Sequence, residues 1–310
     1  MSTTKRTEIE KAVLPPYGAL PEGHTPSKDA PSDWRDKPQD FGKLLDGNLR
    51  DFRRLLWPKD DMGRKIELTK VDLALLLQIR ADRLLDELPD SSVRSWKCNT
   101  HRKFFELEDK GQQLGELHRQ YDRTADQVLV LDGIPKFFIE GIFHKMTAGA
   151  IFFFKQELQR LRPYQAAHIL GPTAFSYEAA TAAGHPSMIS GHCIQGVMGG
   201  VGIFERLLLD KIPFSEDSWT ALQQFIVDFG DRRVMAGVHY PSDNISSWLL
   251  ALDLCKRVCH PSVAVEVKQH LWTAISTRSI VYKRIEAAID NSKSHVYKPA
   301  WDELQKRAAS

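Results

Sequence analysis

Several features that are scarce in this chain exclude whole classes of protein. The net charge is only +2, and no basic run is interleaved with aromatic residues, so nucleic acid is not expected as a partner. The hydrophobic content of 42% and charged content of 26% are ordinary for a soluble globular protein. The four cysteines, Cys98, Cys193, Cys255 and Cys259, lack the spacing of a disulfide framework. We expect them to pack as small apolar residues rather than to bind metal, although disulfides stay open.

Long apolar runs are also missing. The first eleven residues are polar and charged, without the apolar core of a secretory signal. Two apolar stretches, 137–154 and 188–209, are interrupted by histidines and charged residues. Neither resembles a membrane-spanning helix of about 20 apolar residues. The sequence therefore predicts a cytoplasmic protein with no membrane span.

Strand patterns are nearly absent, and helical periodicity dominates instead. Apolar residues recur at three- and four-residue spacing through most of the chain, which is typical of amphipathic helices. The pattern predicts helices over 41–57, 66–88, 137–162, 190–209, 218–229, 243–258 and 263–290, and a shorter pair within 91–121. Because the residue before a proline avoids the helical conformation, Pro163 is expected to end the third of these.

The composition divides the chain in two. Residues 1–38 are rich in Pro, Ser, Thr and Asp, which predicts an extended or disordered arm. Residues 39–310 predict one all-α domain, a helical bundle with a single core. The arm is long enough to wrap a neighbouring subunit, so a homodimer stays open beside the alternative of a loose tail.

Two short clusters carry groups suited to an oxyanion. Lys155 and Arg162 are seven residues apart, which would place both side chains on one face of a helix. Ser190 is a good helix N-cap, and Gly191 and His192 would then occupy the first turn, where free N–H groups attract anions. The alternatives are a solvated basic face beside Arg160 and an ordinary capped helix.

A third cluster adds Arg233, His239 and Asp243. A histidine and a carboxylate four residues apart can share one hydrogen bond, which fixes the imidazole tautomer. A buried histidine satisfied by a nearby acid is the alternative. The three clusters together predict a cationic pocket with two imidazoles.

The clusters resemble, in order, the signature of a known superfamily. Lys-six residues-Arg-Pro, Ser-Gly-His and Arg-five residues-His-three residues-Asp are similar to the motifs shared by vanadium-dependent haloperoxidases, type-2 phosphatidic acid phosphatases and bacterial nonspecific acid phosphatases. The resemblance implies a helical bundle of the haloperoxidase/acid phosphatase type. It also implies that Lys155, Arg162 and Arg233 clamp the oxygens of phosphate or vanadate, and that Ser190 and the Gly191 amide donate further hydrogen bonds.

The same resemblance implies two chemistries. In a phosphatase, which needs no cofactor, His239 would attack phosphorus and form a phosphohistidine, Asp243 would orient it, and His192 would protonate the leaving oxygen. In a haloperoxidase the cofactor is vanadate. His239 would then bond to vanadium, and His192 would assist peroxide binding.

Residues around the second motif distinguish the branches. The His185-Pro186-Ser187 lead-in is similar to bromoperoxidases, in which the histidine at this position lies beside vanadate. Ile189, Cys193 and the sequence His-Tyr-Pro-Ser-Asp depart from the peroxidase pattern. We predict a haloperoxidase-like enzyme acting on halide and peroxide. The first alternative is a phosphatase acting on phosphate monoesters, and the second is a non-catalytic oxyanion-binding protein.

Overall fold

A computed structural model of the 310-residue chain describes residues 14–16, 42–86, 149–171, 175, 184–291 and 295–310. Within these ranges the regular secondary structure is helical and no strand occurs, which confirms the all-α prediction. The helices are α1 (Gly42–Leu55), α2 (Met62–Asp86), α3 (149–158), α4 (Pro163–Leu170), α5 (Gly191–Leu209), α6 (Glu216–Met235), α7 (Pro241–Val258), α8 (Ala264–Thr273), α9 (Ile280–Asp290) and α10 (Lys298–Ala309).

Helix α7 is the central element of the described fold. Every residue from 241 to 252 is buried, so this helix must carry apolar side chains or polar ones with hydrogen-bond partners on all sides. Ser246 and Ser247 meet this requirement by donating to the carbonyl of Asp243, at 2.7 and 3.0 Å. Asp243 in the first turn of α7 therefore lies inside the protein.

Helices α5 and α6 approach closely because α5 carries glycines where they meet. A Cβ on Gly196 would lie 2.4 Å from the carbonyl oxygen of Ile226. Near the start of α5, a Cβ on Gly230 of α6 would lie 2.7 Å from the Cys193 sulfur. The two helices are therefore antiparallel, and the first turn of α5 lies beside the last turns of α6. This packing brings the second and third motifs together.

Most predicted helices in the described ranges are confirmed, with shifted ends. Helices α1, α2, α5 and α7 begin and end within about four residues of the predicted bounds. Helix α6 continues to Met235, beyond the predicted end at residue 229. The predicted helix 263–290 is divided by a π-helical turn, Ala274–Arg278, and by extended backbone at Ser279, whose hydroxyl accepts from the Tyr282 amide and caps α9. Helix α10 was not predicted.

The predicted helix 137–162 ends earlier than expected. Its described part, 149–158, stops before Gln159, which takes the left-handed conformation with φ 47°. Arg162 is instead the N-cap of α4, and Pro163 is the first residue of that helix. Proline suits this position because its φ is fixed and its missing N–H is not needed there. The prediction that Lys155 and Arg162 share one helix face is therefore wrong.

Several predictions concern residues outside the described ranges. These include the arm, except residues 14–16, the polar helix pair within 91–121, and Cys98. Leu14 is buried against the core. The described cysteines, Cys193, Cys255 and Cys259, are buried free thiols. In the described part of the chain, no helix is long and apolar enough to cross a bilayer. The cytoplasmic location and the homodimer stay predictions.

Candidate active site

The imidazole of His239 lies between the carboxylate of Asp243 and the guanidinium of Arg162, and these two contacts select one tautomer. Its Nδ1 is 2.9 Å from Asp243 Oδ2, and its Nε2 is 2.9 Å from an Nη of Arg162. An ionised carboxylate only accepts hydrogen bonds and a guanidinium only donates them. The proton of neutral His239 therefore belongs on Nδ1, and the lone pair of Nε2 faces Arg162.

The charge states of His239 and Asp243 follow from their surroundings. Burial, together with the cations of Arg162 and Lys155, holds the pKa of His239 well below its usual value, against the opposing effect of Asp243. Burial alone would raise the pKa of Asp243, but Arg160 and the hydrogen bonds from His239 and Ser187 outweigh it and depress that pKa. The site thus holds a neutral imidazole beside an ionised carboxylate.

Arg162 connects all three motifs. Its Nε donates to the carbonyl of His185 at 2.8 Å, and one Nη donates to the carbonyl of Val238 at 2.7 Å. The other Nη is 2.8 Å from Nδ1 of His185. The backbone N–H of Arg162 donates to the Gln165 side chain at 2.8 Å, which fixes the start of α4. The guanidinium is therefore held at the point where the first, second and third motifs meet.

Lys155 reaches the same region from α3. Its side chain is completely buried, and its Nζ donates to the carbonyls of Pro186 at 2.5 Å and Ser187 at 3.2 Å. Burial and the nearby Arg162 lower the pKa of Lys155 well below its usual value. An anion at this place would reverse that effect, because an opposite charge favours the charged form of an amine.

His185 is half-buried at the edge of this cluster. Because Arg162 can only donate, Nδ1 of His185 accepts and its proton belongs on Nε2. The ring of Phe152 meets the imidazole edge-to-face, with 5.8 Å between the ring centroids. Burial and the cations Lys155 and Arg162 lower the pKa of His185. His185 is therefore a neutral group beside Arg162.

The second motif forms the start of α5. The predicted N-cap is confirmed, since Ser190 Oγ accepts from the Cys193 amide at 3.4 Å. The Ser190 carbonyl accepts from Ser247 of α7 at 3.1 Å, which ties this helix start to the central helix. Gly191 and His192 are half-buried in the first turn. Their predicted roles toward an anion and a leaving group stay predictions.

The third motif is a tight turn between α6 and α7. The carbonyl of Arg233 accepts from the amides of Val238 and His239, both at 3.2 Å. Gly237 has φ 79°, and a Cβ there would lie 2.3 Å from an Nη of Arg80, so only glycine fits this turn. The turn places His239 beside the last turn of α6. The Arg233 side chain is buried, and its contact with an anion stays a prediction.

Sequence reasoning missed two buried charged residues. Arg160 is not part of a solvated face: it is fully buried and pairs with Asp72 at 2.6 Å and with Asp243 at 2.9 Å. The sequence does contain a signal for Asp72, which lies in the apolar stripe of α2 one turn from Leu68 and Leu76. A charged residue on such a face needs a buried partner.

The structure therefore brings most of the predicted site together. Lys155, Arg162, His185, His239 and Asp243 interact directly or electrostatically, and the segments that carry the other four predicted residues adjoin them. Among the residues described, no group of three or more His, Cys, Asp or Glu is arranged to hold a metal ion. Buried cations around a neutral imidazole suit a compact anion.

The fold and the site together define a helical protein with buried cations around a neutral imidazole. Residues 141–260, which contain all three motifs, match the model of the PAP2 superfamily. This match supports phosphatase-type or haloperoxidase-type activity. Comparison with curated proteins and with solved structures gives no match.

Proposed function

We propose that this protein is a phosphatase that hydrolyses phosphate monoesters through a phosphohistidine at His239. The observation that carries the proposal is the state of this imidazole. Asp243 accepts a hydrogen bond from Nδ1 and Arg162 faces Nε2, so the nucleophilic lone pair is directed at a cation that an incoming phosphate would also contact. A neutral, oriented imidazole is what nucleophilic attack on phosphorus requires.

The first half-reaction would use the residues as follows. Nε2 of His239 forms a bond to phosphorus while the bond from phosphorus to the ester oxygen breaks, and His192 gives a proton to the departing oxygen. Lys155, Arg162 and Arg233 balance the charge on the phosphoryl oxygens, and Ser190 and the Gly191 amide donate hydrogen bonds to them. Asp243 stabilises the imidazole as it becomes positively charged.

The second half-reaction would return the enzyme to its starting state. His192, now neutral, removes a proton from water as the water oxygen attacks phosphorus and the bond to Nε2 breaks. Phosphate leaves, and the proton on His192 is available for the next turnover. For this cycle Arg162 must leave Nε2, where it lies at 2.9 Å, and turn to the phosphate oxygens. A guanidinium forms a stronger hydrogen bond to a charged phosphate oxygen than to a neutral imidazole, so bound phosphate favours this movement of Arg162.

A vanadium-dependent haloperoxidase is the second candidate, and His185 favours it. This histidine lies against Arg162 and Phe152, at the edge of the cationic cluster. The same residues fit vanadate, because Lys155 and Arg162 surround a neutral His239 whose Nε2 lone pair could bond to vanadium. Bound vanadate would supply Lewis-acid activation of peroxide for halide oxidation, while His192 would hold or move a proton at the peroxide.

The contact between His185 and Arg162 removes the main reason to prefer a haloperoxidase over a phosphatase. The sequence preference for a haloperoxidase rested on His185, and this side chain has a positioning role toward the clamp arginine that serves either chemistry. With that residue accounted for, the sequence His-Tyr-Pro-Ser-Asp favours a phosphatase.

Two parallel assays test the proposal. The purified protein is given p-nitrophenyl phosphate without vanadate, and separately bromide, peroxide and monochlorodimedone with vanadate. Ester hydrolysis alone supports the phosphatase, and bromination alone reverses the order. Vanadate binding without either turnover would support the non-catalytic alternative. His239→Ala should reduce the productive activity by at least about 10³-fold, whereas His168→Ala, at an exposed position on α4, should leave it unchanged.

His185 provides a second discriminating variant. In a phosphatase, His185→Ala should lower kcat/KM by about tenfold through looser placement of Arg162. In a haloperoxidase the loss of bromination should be larger than any loss of ester hydrolysis, because this side chain would then lie beside the reacting groups. Equal losses of activity in both assays would show that His185 only positions Arg162.

A further inference from the structure

A buried arginine among the six residues between Lys155 and Arg162 contacts the carboxylate that is hydrogen-bonded to His239. One Nη of Arg160 donates to Asp243 Oδ1 at 2.9 Å and to Ser242 Oγ at 2.7 Å. The other Nη donates to Asp72 Oδ2 at 2.6 Å. The side chains of Arg160 and both carboxylates have no solvent exposure. The guanidinium is therefore a bridge between α2 and the first turn of α7.

This bridge has little freedom to move. The Arg160 guanidinium lies 3.9 Å from the ring centre of Tyr240 and 4.7 Å from that of Trp57. Asp72 is fixed in turn, because it accepts from the Ser242 amide at 3.0 Å and from the Tyr297 hydroxyl at 2.7 Å. Residues far apart in the chain thus hold one guanidinium in place.

The two oxygens of Asp243 have separate partners. Oδ1 accepts from Arg160. Oδ2 accepts from Nδ1 of His239 at 2.9 Å, from the Tyr240 amide at 3.0 Å and from the Ser187 hydroxyl. Arg160 therefore occupies the oxygen that His239 does not use, and its position sets the rotation of the carboxylate about its side chain.

We propose that Arg160, anchored by Asp72, is a positioning residue that holds the Asp243 carboxylate turned so that Oδ2 accepts the hydrogen bond from Nδ1 of His239. The proposal rests on the proposed function of His239 as nucleophile. Without Arg160, Oδ1 of Asp243 loses its guanidinium partner and the carboxylate can rotate away from His239. An imidazole without that acceptor can carry its proton on Nε2, which would block attack.

The test compares four variants in the full-length protein. Arg160→Met removes the charge, Arg160→Lys keeps the charge without the fork of donors, and Asp72→Asn loosens the anchor. Arg232→Met is the matched control, because Arg232 is also buried and also pairs with an aspartate, Asp228 at 3.3 Å, away from His239. Each variant is measured for folded fraction, for kcat and KM with p-nitrophenyl phosphate, and for the His239 tautomer by nitrogen NMR.

Specific results are expected. Arg160→Met should lower kcat by about 100-fold per folded molecule with a small change in KM, and should move part of the His239 population to the Nε2-protonated tautomer. Arg160→Lys should restore only part of kcat, because an ammonium lacks the fork of donors that contacts Asp243 and Asp72 together. Asp72→Asn should lower kcat by about tenfold. Arg232→Met should reduce stability while leaving the tautomer unchanged.

The NMR measurement separates this proposal from the proposed function. It needs no turnover, so a change of the His239 tautomer in Arg160→Met would support the positioning role even if the wild-type protein hydrolysed no ester. An unchanged Nδ1-protonated imidazole in Arg160→Met would overturn it. If that variant does not fold, a wild-type tautomer in both Arg160→Lys and Asp72→Asn would overturn it equally.

Discussion

Asp243 and Asp231 are two buried carboxylates near the start of α7, and their pKa values are shifted in opposite directions. Asp243 lies beside Arg160, which holds its pKa below the usual value against the effect of burial. Asn244, the next residue in α7, directs its amide toward Asp231 at 3.5 Å. Burial raises the pKa of Asp231 to about 7, even though Ser279 and backbone amides donate to it. A hydroxyl and amides therefore do not replace a guanidinium in keeping a buried carboxylate ionised.

The comparison indicates different uses for the two groups. Asp243 lies in the first turn of α7 and contacts the imidazole of His239, so its fixed negative charge can act on the site. Asp231 accepts from the Ser279 hydroxyl and the Ile280 amide, so it joins α6 to the start of α9. Asp243 therefore contacts the site and Asp231 connects helices, although both carboxylates are buried.

The largest expected difference is in activity. Asp243→Asn should lower kcat by about 10³-fold or more, because an amide does not select the Nδ1-protonated tautomer of His239. Asp231→Asn should stay within about threefold of wild type per folded molecule, since it does not contact the imidazole. Ester hydrolysis and circular dichroism of both variants check this. Equal losses of activity would show that the two carboxylates do not divide their roles in this way.

The pH dependence of stability should also separate them. Since the pKa of Asp231 in the folded state is about 7 and its reference value is 3.8, its favourable contribution is present below pH 3.8 and is lost as the pH rises toward 7. Relative to Asp231→Asn, wild type should therefore lose free energy of unfolding over this range, by up to about 4 kcal/mol.

Denaturant unfolding at several pH values measures this difference, with Asp253→Asn on the half-buried part of α7 as the control. A constant difference between wild type and Asp231→Asn from pH 4 to 8 would show that Asp231 does not titrate as expected. His239 contributes in the opposite direction, because its depressed pKa means that stability is lost as the pH falls below 6.5.

The smallest effect should come from the serine that donates to each carboxylate. Ser187 donates to Asp243 and Ser279 donates to Asp231, and both serines are fully buried. Ser187→Ala should lower kcat by about tenfold, the value of one hydrogen bond to a charged group. Ser279→Ala should keep wild-type kcat and lose about 1 kcal/mol of stability through the missing cap of α9. A larger activity loss in Ser279→Ala would contradict the comparison.

Part of the site could be predicted because its residues are close together in the chain. Ser190 is an N-cap whose local sequence selects it, and the four-residue spacing of His239 and Asp243 permits their hydrogen bond on its own. The network of Asp72, Arg160 and Tyr297 could not be predicted in the same way. Its members are brought together only by packing, and a single sequence contains no record of which buried charges meet.

Lys155 and Arg162 reach the same cluster, but not through the shared helix face that their spacing predicted. The left-handed turn at Gln159 and the start of α4 at Pro163 direct them there. Spacing in a sequence indicates helical phase only while the helix continues, and the backbone here changes direction between the two residues.

Periodicity and capping are local properties, so the sequence alone was enough to predict an all-α chain, most helices of the described ranges and the residue types of the predicted anion site. The tertiary structure alone decided that Arg160 meets Asp72 and Asp243, and hence which buried carboxylate stays charged. The physical reason is that ionisation in a protein interior depends on the distance to the nearest cation, and that distance exists only after distant segments have packed together.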